Sequence, residues 1–312
     1  DGTPLSIWRC PSTTLEWPLD TAYSNGGLCL TGYFGGSITF GSTTLTTQGD
    51  QQLAFVVTLS ADTGDVLWAR TIDSPGSSAA YRPVFDRQGN VAVGGALCAL
   101  VWTQCSAFVT VLDGVDGSTI WLRNFGTAMW RAAGLDVDLN DDRYYLAGTM
   151  VADFHVDNIT LTSTSATDGV VLALDSSGVA LWAAHLAGGR SLEVHVVGDA
   201  VYATCSANCG TVSTTASSAT VAFDDNTFAG GVVKLTAFGE PVRAPEVPVS
   251  VAIAANADAV YVNFGSTSSL QFGDTTFQEI AAQPDGTRGL LKVYRADIAE
   301  GAAPATRRQT GS

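Results

Sequence analysis

A glycine followed four residues later by a tryptophan returns along the chain as "GDVLW" (Gly64, Trp68), "GSTIW" (Gly117, Trp121) and "GVALW" (Gly178, Trp182). It then decays to "GEPVR", where Gly239 keeps its place and Val242 stands where the ring would be. The glycines lie 53, 61 and 61 residues apart. A period of this length constrains the fold strongly, because a unit so small cannot bury its own faces and must pack against copies of itself. Ahead of each turn stands a short apolar run: "AFVVTL" at 54, "AFVTVL" at 107, "GVVLAL" at 169, "GGVVKL" at 230, and a fifth, "GLLKVY", at 289. A second set precedes these ("GLCLTG", "VAVGGA", "YYLAGT", "VYATCS", "VYVNFG"), and a third precedes that ("EWPLD", "RPVFD", "LDVDL", "EVHVV", "SVAIA"). Each unit therefore reads as four short strands punctuated by Gly, Asn and Asp, with no sustained helical period.

Four-stranded units repeated at this spacing predict an all-β chain: a five-bladed β-propeller of four-stranded antiparallel blades, one domain over residues 1–300 with a tail at 301–312. A parallel β-helix is the competitor, but its coils are much shorter. The ends of the chain support a closed ring. Trp8, in "PLSIWRC", falls 60 residues before Trp68, where a fourth strand belongs, and the last unit stops after three strands near Tyr294. The N-terminal strand is expected to pair into the C-terminal blade and leave no open edge; "APATRRQ" near 303 is the more polar, weaker candidate. Between second and third strands a further phrase recurs: "FGSTTL", "VDNITL", "FDDNTF", "FGDTTF". Gly41-Ser42, Asp157-Asn158, Asp224-Asp225 and Gly273-Asp274 fit two-residue hairpin turns, so each phrase predicts an extra hairpin jutting from one rim. The second unit carries "CALVWTQC" instead, a disulfide-closed loop over Trp102.

The segments "TGYFGGSITFG" from Thr31, "AFVVTLSADTGDVLWA" from Ala54, "AFVTVLDGVDGSTIWL" from Ala107 and "GVVLALDSSGVALWA" from Gly169 resemble the bacterial secreted or cell-surface β-propeller repeats labelled SBBP. The resemblance fades after about residue 236. It implies a secreted or surface-displayed scaffold and no particular reaction.

Thirty acidic against fifteen basic side chains give a net charge of −15, which disfavours nucleic acid as a partner. The only lysines, Lys234 and Lys292, lie inside apolar runs, and those runs are strand-sized, so no membrane insertion is expected. A chain beginning at Asp1 suits a mature exported product. Six cysteines in close-set pairs favour the disulfides Cys10–Cys29, Cys98–Cys105 and Cys205–Cys209 in an oxidising, extracellular compartment. "CSANC" is also a C-x3-C pair of the kind zinc uses, but no second Cys/His pair accompanies it.

The first strand of each unit should line the central axis. One alternating set is apolar (Trp17, Leu19, Pro83, Phe85, Leu135, Val137, Val194, Val196, Val251, Ile253) and should pack between blades. The other collects Glu16, Arg82, Asp136, Glu193 and His195. Glu16, Asp136 and Glu193 are candidate catalytic carboxylates for glycoside chemistry, with Arg82 or His195 tuning them. Equally, a channel mouth needs polar, water-bonded residues whatever the protein does. Tyr81, Arg82, Trp130, Arg131, Arg190 and His195 are candidate ligand-binding residues, because aromatic rings beside arginines suit sugar or peptide recognition. Turn aspartates in "DTGD", "DGVDGS", "DLNDD" and "FDDN" offer Ca2+ as a candidate ligand, although Asp is also what tight turns prefer. His155, His185 and His195 are scattered, and no nucleophilic triad stands out. The chain thus reads as a non-catalytic binding or scaffold module for a carbohydrate or protein partner, without cofactor. The alternatives are a glycoside-active enzyme and a structural subunit of an extracellular assembly.

Overall fold

The computed structural model describes residues 16–24, 26–100, 102–206, 210–217, 220–222, 230–242, 250–255, 259–264, 270–272, 275–277 and 289–294, and these contain strands and turns but no α-helix. The first unit holds β1 (Glu16–Ser24), β2 (Gly27–Gly35), the hairpin β3 (Ser37–Phe40) and β4 (Thr43–Thr46), then β5 (Gln52–Ser60) and β6 (Val66–Ile72). The second is a plain meander, β7 (Ser77–Phe85), β8 (Val91–Leu100), β9 (Thr103–Leu112) and β10 (Thr119–Asn124). In the third, β11 (Met129–Asp138) and β12 (Arg143–Met150) precede the hairpin β13 (Phe154–Val156) and β14 (Ile159–Leu161), followed by β15 (Asp168–Leu174) and β16 (Ala180–Ala187). The fourth comprises β17 (Val194–Val197), β18 (Ala200–Ser206), β19 (Thr211–Thr214), β20 (Thr220–Ala222), β21 (Gly230–Thr236) and the two-residue β22 (Pro241–Val242). A last antiparallel sheet joins β23 (Ser250–Ala255), β24 (Ala259–Phe264) and β27 (Gly289–Tyr294), with β25 (Leu270–Phe272) and β26 (Thr275–Phe277) paired beside it.

In the first four units the sheet order follows the chain from first strand to fourth, all antiparallel, and the first strands β1, β7, β11, β17 and β23 adjoin one another in series. That arrangement is a β-propeller, with the first strands along the axis. Its core lies between sheets. On β9, Phe108 and Leu112 face the first sheet beside Val56 and Trp68, while Val109 and Val111 face the third beside Leu135 and Leu146. Both faces of such a strand are covered, which is why "AFVTVL" is a continuous apolar run and not an alternating one.

The Gly-x3-Trp period acts between units. Trp68 donates its indole N–H to the Gly114 carbonyl of the next sheet at 3.0 Å, Trp121 to Ser176 at 3.0 Å, and Trp182 to Ala237 at 3.0 Å. Each ring therefore lies over the following unit's glycine turn. A Cβ on Gly117 would stand 2.6 Å from the Trp68 ring, and one on Gly239 2.6 Å from Trp182, with both glycines at positive φ (73° and 85°). Only glycine satisfies the backbone angle and the ring contact together.

The hairpin turns at 41–42 and 157–158 fall where expected, with Phe40 opposite Thr43 and Val156 opposite Ile159. Phe272 likewise pairs with Thr275, while Asp224-Asp225 lies outside the described residues. The β3–β4 and β13–β14 hairpins do not jut outward. Ile38 and Phe40 are buried against Phe55, and Phe154, Val156, Ile159 and Leu161 join the core between the second and third sheets, because the apolar side of each short hairpin can be covered only by folding back onto a sheet. Asp157 fixes one of them from its tip, accepting hydrogen bonds from Arg123 of β10 (2.8 Å) and from the Ala180 amide of β16 (2.8 Å). The β19–β20 pair departs furthest from the repeat. It leaves the fourth unit and adds to the outer edge of the third through β16, making that sheet six-stranded.

Cys98 and Cys105 form a disulfide. Cys205 is also disulfide-bonded, and its expected partner Cys209 lies outside the described residues, as does Cys10. Cys29 is a free thiol, contrary to the Cys10–Cys29 pairing, because its β2 position points into the packed seam between the first two sheets, beside Ala54 and Trp68. The segment carrying Trp8, and with it the expected closure, lies outside the described residues, as do Gly273-Asp274 and residues 295–312.

Candidate functional site

Four adjoining first strands bring a charged set to the axis. Arg82 of β7 is ion-paired with Glu193, which lies just ahead of β17; its Nε lies 3.7 Å from Asp20 Oδ2 of β1, and its other terminal nitrogen lies 3.2 Å from His195 Nε2. A guanidinium can only donate, so Nε2 accepts and the imidazole proton sits on Nδ1, 3.4 Å from Asp136 Oδ2 of β11. Asp136 is further engaged by the Val196 amide (2.9 Å) and the Val137 amide (2.9 Å). Burial pushes the Glu193 carboxyl above its ordinary range, and the Arg82 charge pulls it back only partly. Thr204 locks the backbone here, its hydroxyl accepting from the Glu193 amide at 3.0 Å. Glu16, the third expected carboxylate, is exposed at the start of β1 and stands outside this network.

Nearer the rim, the Arg131 guanidinium lies 5.1 Å from the Trp130 ring centroid and 5.9 Å from that of Tyr81. Both distances are cation–π contacts. Burial raises the Tyr81 hydroxyl above its usual pKa, with Arg131 opposing. Trp130 remains 45% exposed, and Arg190 is exposed on the segment between β16 and β17. The structure thus brings the candidates Tyr81, Trp130 and Arg131 together, with neighbours that sequence reasoning missed. Trp17, expected between blades, is 53% exposed and stacks on Tyr33 with ring centroids 6.3 Å apart and planes 3° from parallel. The reason is a β-bulge between Pro18 and Asp20, which breaks the period-two alternation on which the assignment depended. Tyr33 meets Trp102 edge-on at 4.9 Å, so the rings of the first and second units join in one patch. Alternation along β2 puts Tyr33 on the same face as buried Cys29 and Thr31, the one signal that pointed to it.

The turn aspartates cap their own loops: Asp113 accepts the Val115 amide (2.7 Å), Asp116 the Ser118 amide (2.7 Å), Asp138 the Asn140 amide (2.9 Å) and Asp65 the Thr63 hydroxyl (2.7 Å). Among the described residues no three His, Cys, Asp or Glu side chains converge on a point where a metal ion would sit, and residues 223–226 lie outside them.

No protein-family model matches the sequence, and no curated protein matches it. Among solved structures, an acylaminoacyl peptidase from Pyrococcus horikoshii superposes with a TM-score of 0.40 at 9% identity, over 86% of this chain and 46% of that one. The quinohemoprotein alcohol dehydrogenase ADHIIG from Pseudomonas putida HK5 gives 0.36 at 11% identity, over 93% of this chain and 61% of that one. BamB from Moraxella catarrhalis gives 0.37 at 13% identity, over 92% and 89%. The chain spans less than half the length of the peptidase structures it matches. Similarity at this level assigns neither a family nor an activity.

Proposed function

We propose that the chain is a secreted or surface-displayed binding module, non-catalytic, whose rim at Tyr81, Trp130 and Arg131 engages a carbohydrate or protein partner. The observation that carries this is the guanidinium of Arg131 held against two aromatic rings, one of them half exposed, beside an axis whose acids are already matched by Arg82, His195 and backbone amides. Arg and Trp in such a setting supply most of the energy of a recognition surface. The disulfide at Cys98 favours an oxidising compartment. The architecture belongs to the same proposal: five blades, with residues 1–15 supplying the outermost strand of the last. In support, the face of the first sheet turned away from the second carries its own apolar cluster around Phe34, Phe55 and Val57.

The test is binding of the immobilised protein to a glycan array and to extracellular protein extracts, with the Trp130→Ala/Arg131→Ala double variant alongside. The variant should bind its ligand at least about tenfold more weakly. Equal binding by the two proteins would sink the assignment. Glu193, raised by burial, is the single observation favouring the glycoside-active alternative. Turnover on a glycan panel that disappears in Glu193→Gln would establish that alternative, and turnover that survives Glu16→Gln plus Glu193→Gln would remove those residues from it.

A further inference from the structure

The tip of the β8–β9 hairpin is unusual. Leu100 pairs with Thr103 across a two-residue turn, and the second turn position is a tryptophan in the left-handed region, Trp102 at φ 54°, with Gln104 also left-handed at φ 52°. Glycine or asparagine would occupy such positions at lower energy; a bulky residue there is strained and persists only where its surroundings enforce it. The enforcement is visible. The disulfide joins Cys98 and Cys105, which face each other across the hairpin. The Cys98 carbonyl accepts from the Ser74 hydroxyl (2.7 Å) and the Gly76 amide (3.0 Å), and a Cβ on Gly76 would lie 2.6 Å from the Leu100 backbone nitrogen. All this rigid scaffolding presents an indole that stays 37% exposed.

The indole is also aimed. Its N–H, which can only donate, meets Gln52 at 2.8 Å, so the amide oxygen faces Trp102. Among the described residues nothing else engages the Gln52 amide nitrogen, which keeps its two donors. Tyr33 meets Trp102 edge-on, their planes 70° apart, and Trp17 stacks parallel to Tyr33. The result is an uncharged shelf in which two parallel rings are bordered by a third that stands upright beside them, with amide donors at the edge.

We propose that Trp17, Tyr33, Trp102 and Gln52 form a subsite for a neutral pyranose ring of an oligosaccharide. A pyranose offers a flat apolar C–H face to the rings and vicinal hydroxyls to the amide. A carboxylate-bearing sugar finds no cation among these four residues and meets a chain of net charge −15. A peptide side chain seeks a concave pocket, whereas this is a shelf built from the rigid aromatics that suit stacking. The inference rests on the binding role proposed above and narrows the partner to carbohydrate.

The test is tryptophan-fluorescence and calorimetric titration of the full chain with cello-, xylo-, manno- and chito-hexaose, and with oligogalacturonate as the anionic control. At least one neutral hexaose should bind, with affinity falling about tenfold or more in Trp17→Ala and Gln52→Ala. Trp102→Gly should lose binding without lowering Tm, since glycine relieves the left-handed backbone, while Trp102→Phe should recover part of the affinity. A purely structural Trp102 would instead lower Tm on removal. The absence of binding by every neutral hexaose at millimolar concentration, or preference for the anionic control, overturns the subsite. If a protein ligand dependent on Trp130 and Arg131 is then found, the binding role stands without it; if none is found, both fall.

Discussion

Asp168, wholly buried, holds together a loop that has no strand of its own. It accepts hydrogen bonds from the Thr164 amide (2.7 Å), the Gly188 amide (2.7 Å) and the Ser165 hydroxyl (2.8 Å), and His185 Nε2 lies 3.1 Å away. Burial alone would raise its carboxyl, but these donors outweigh burial and hold it well below the usual carboxylate range. A depressed folded-state pKa contributes stability that is complete above the unfolded value near 4 and is lost as the pH falls below it toward the folded value. Asp168→Ala should therefore cost about 3 kcal/mol at pH 7 by leaving buried donors unmatched, and should flatten the loss of stability between about pH 4 and pH 2. Urea unfolding across that range checks both. Residues of this kind were illegible beforehand, because nothing near "TSTSATD" shows that an aspartate will turn inward. Arg82, Asp136, Glu193 and His195 lie together because alternation along a strand is a local rule, whereas Glu16 of the same set does not join them and Trp17 was misplaced where a bulge suspends that rule.

Among the elements, the third strands of the first three units were the most readable, since a run buried on both faces is apolar throughout, while the first strands showed only as alternation. What the period meant was less evident: glycine and tryptophan four residues apart suggest one turn, yet each ring lies over the next unit's glycine. Gly239→Ala combines a positive φ with a Cβ placed 2.6 Å from the Trp182 ring, so it should destabilise the chain by about 2–4 kcal/mol. Denaturant melts should show this together with a red shift of tryptophan emission as that indole gains water. The same substitution at Gly89, where a Cβ meets nothing within 4 Å, should cost only about 1 kcal/mol, the backbone share alone. The β19–β20 pair escaped sequence reading for a related reason. Its strands resemble any other polar hairpin, and the neighbouring edge they join is distant in sequence.

For the molecule as a whole, the tryptophan rule gives the proposed closure a concrete form. Trp68, Trp121 and Trp182 each lie on the turn glycine of the following unit; under the proposed closure Gly64, at φ 75°, would take its ring from Trp8. Trp8→Ala should then cost about 3–5 kcal/mol, as much as Trp68→Ala, and deletion of residues 1–10 should cost at least that. A melting temperature unchanged by either would remove the closed ring. The seam between the first two units meanwhile contains its own clock. Cys29 is held there un-ionised, burial and Asp20 both pushing its thiol pKa up, so it can react only when the two sheets part. The rate at which a water-soluble maleimide claims that sulfur, followed with and without ligand, would time the parting of these two sheets and tell whether occupancy of the shelf above the seam slows it.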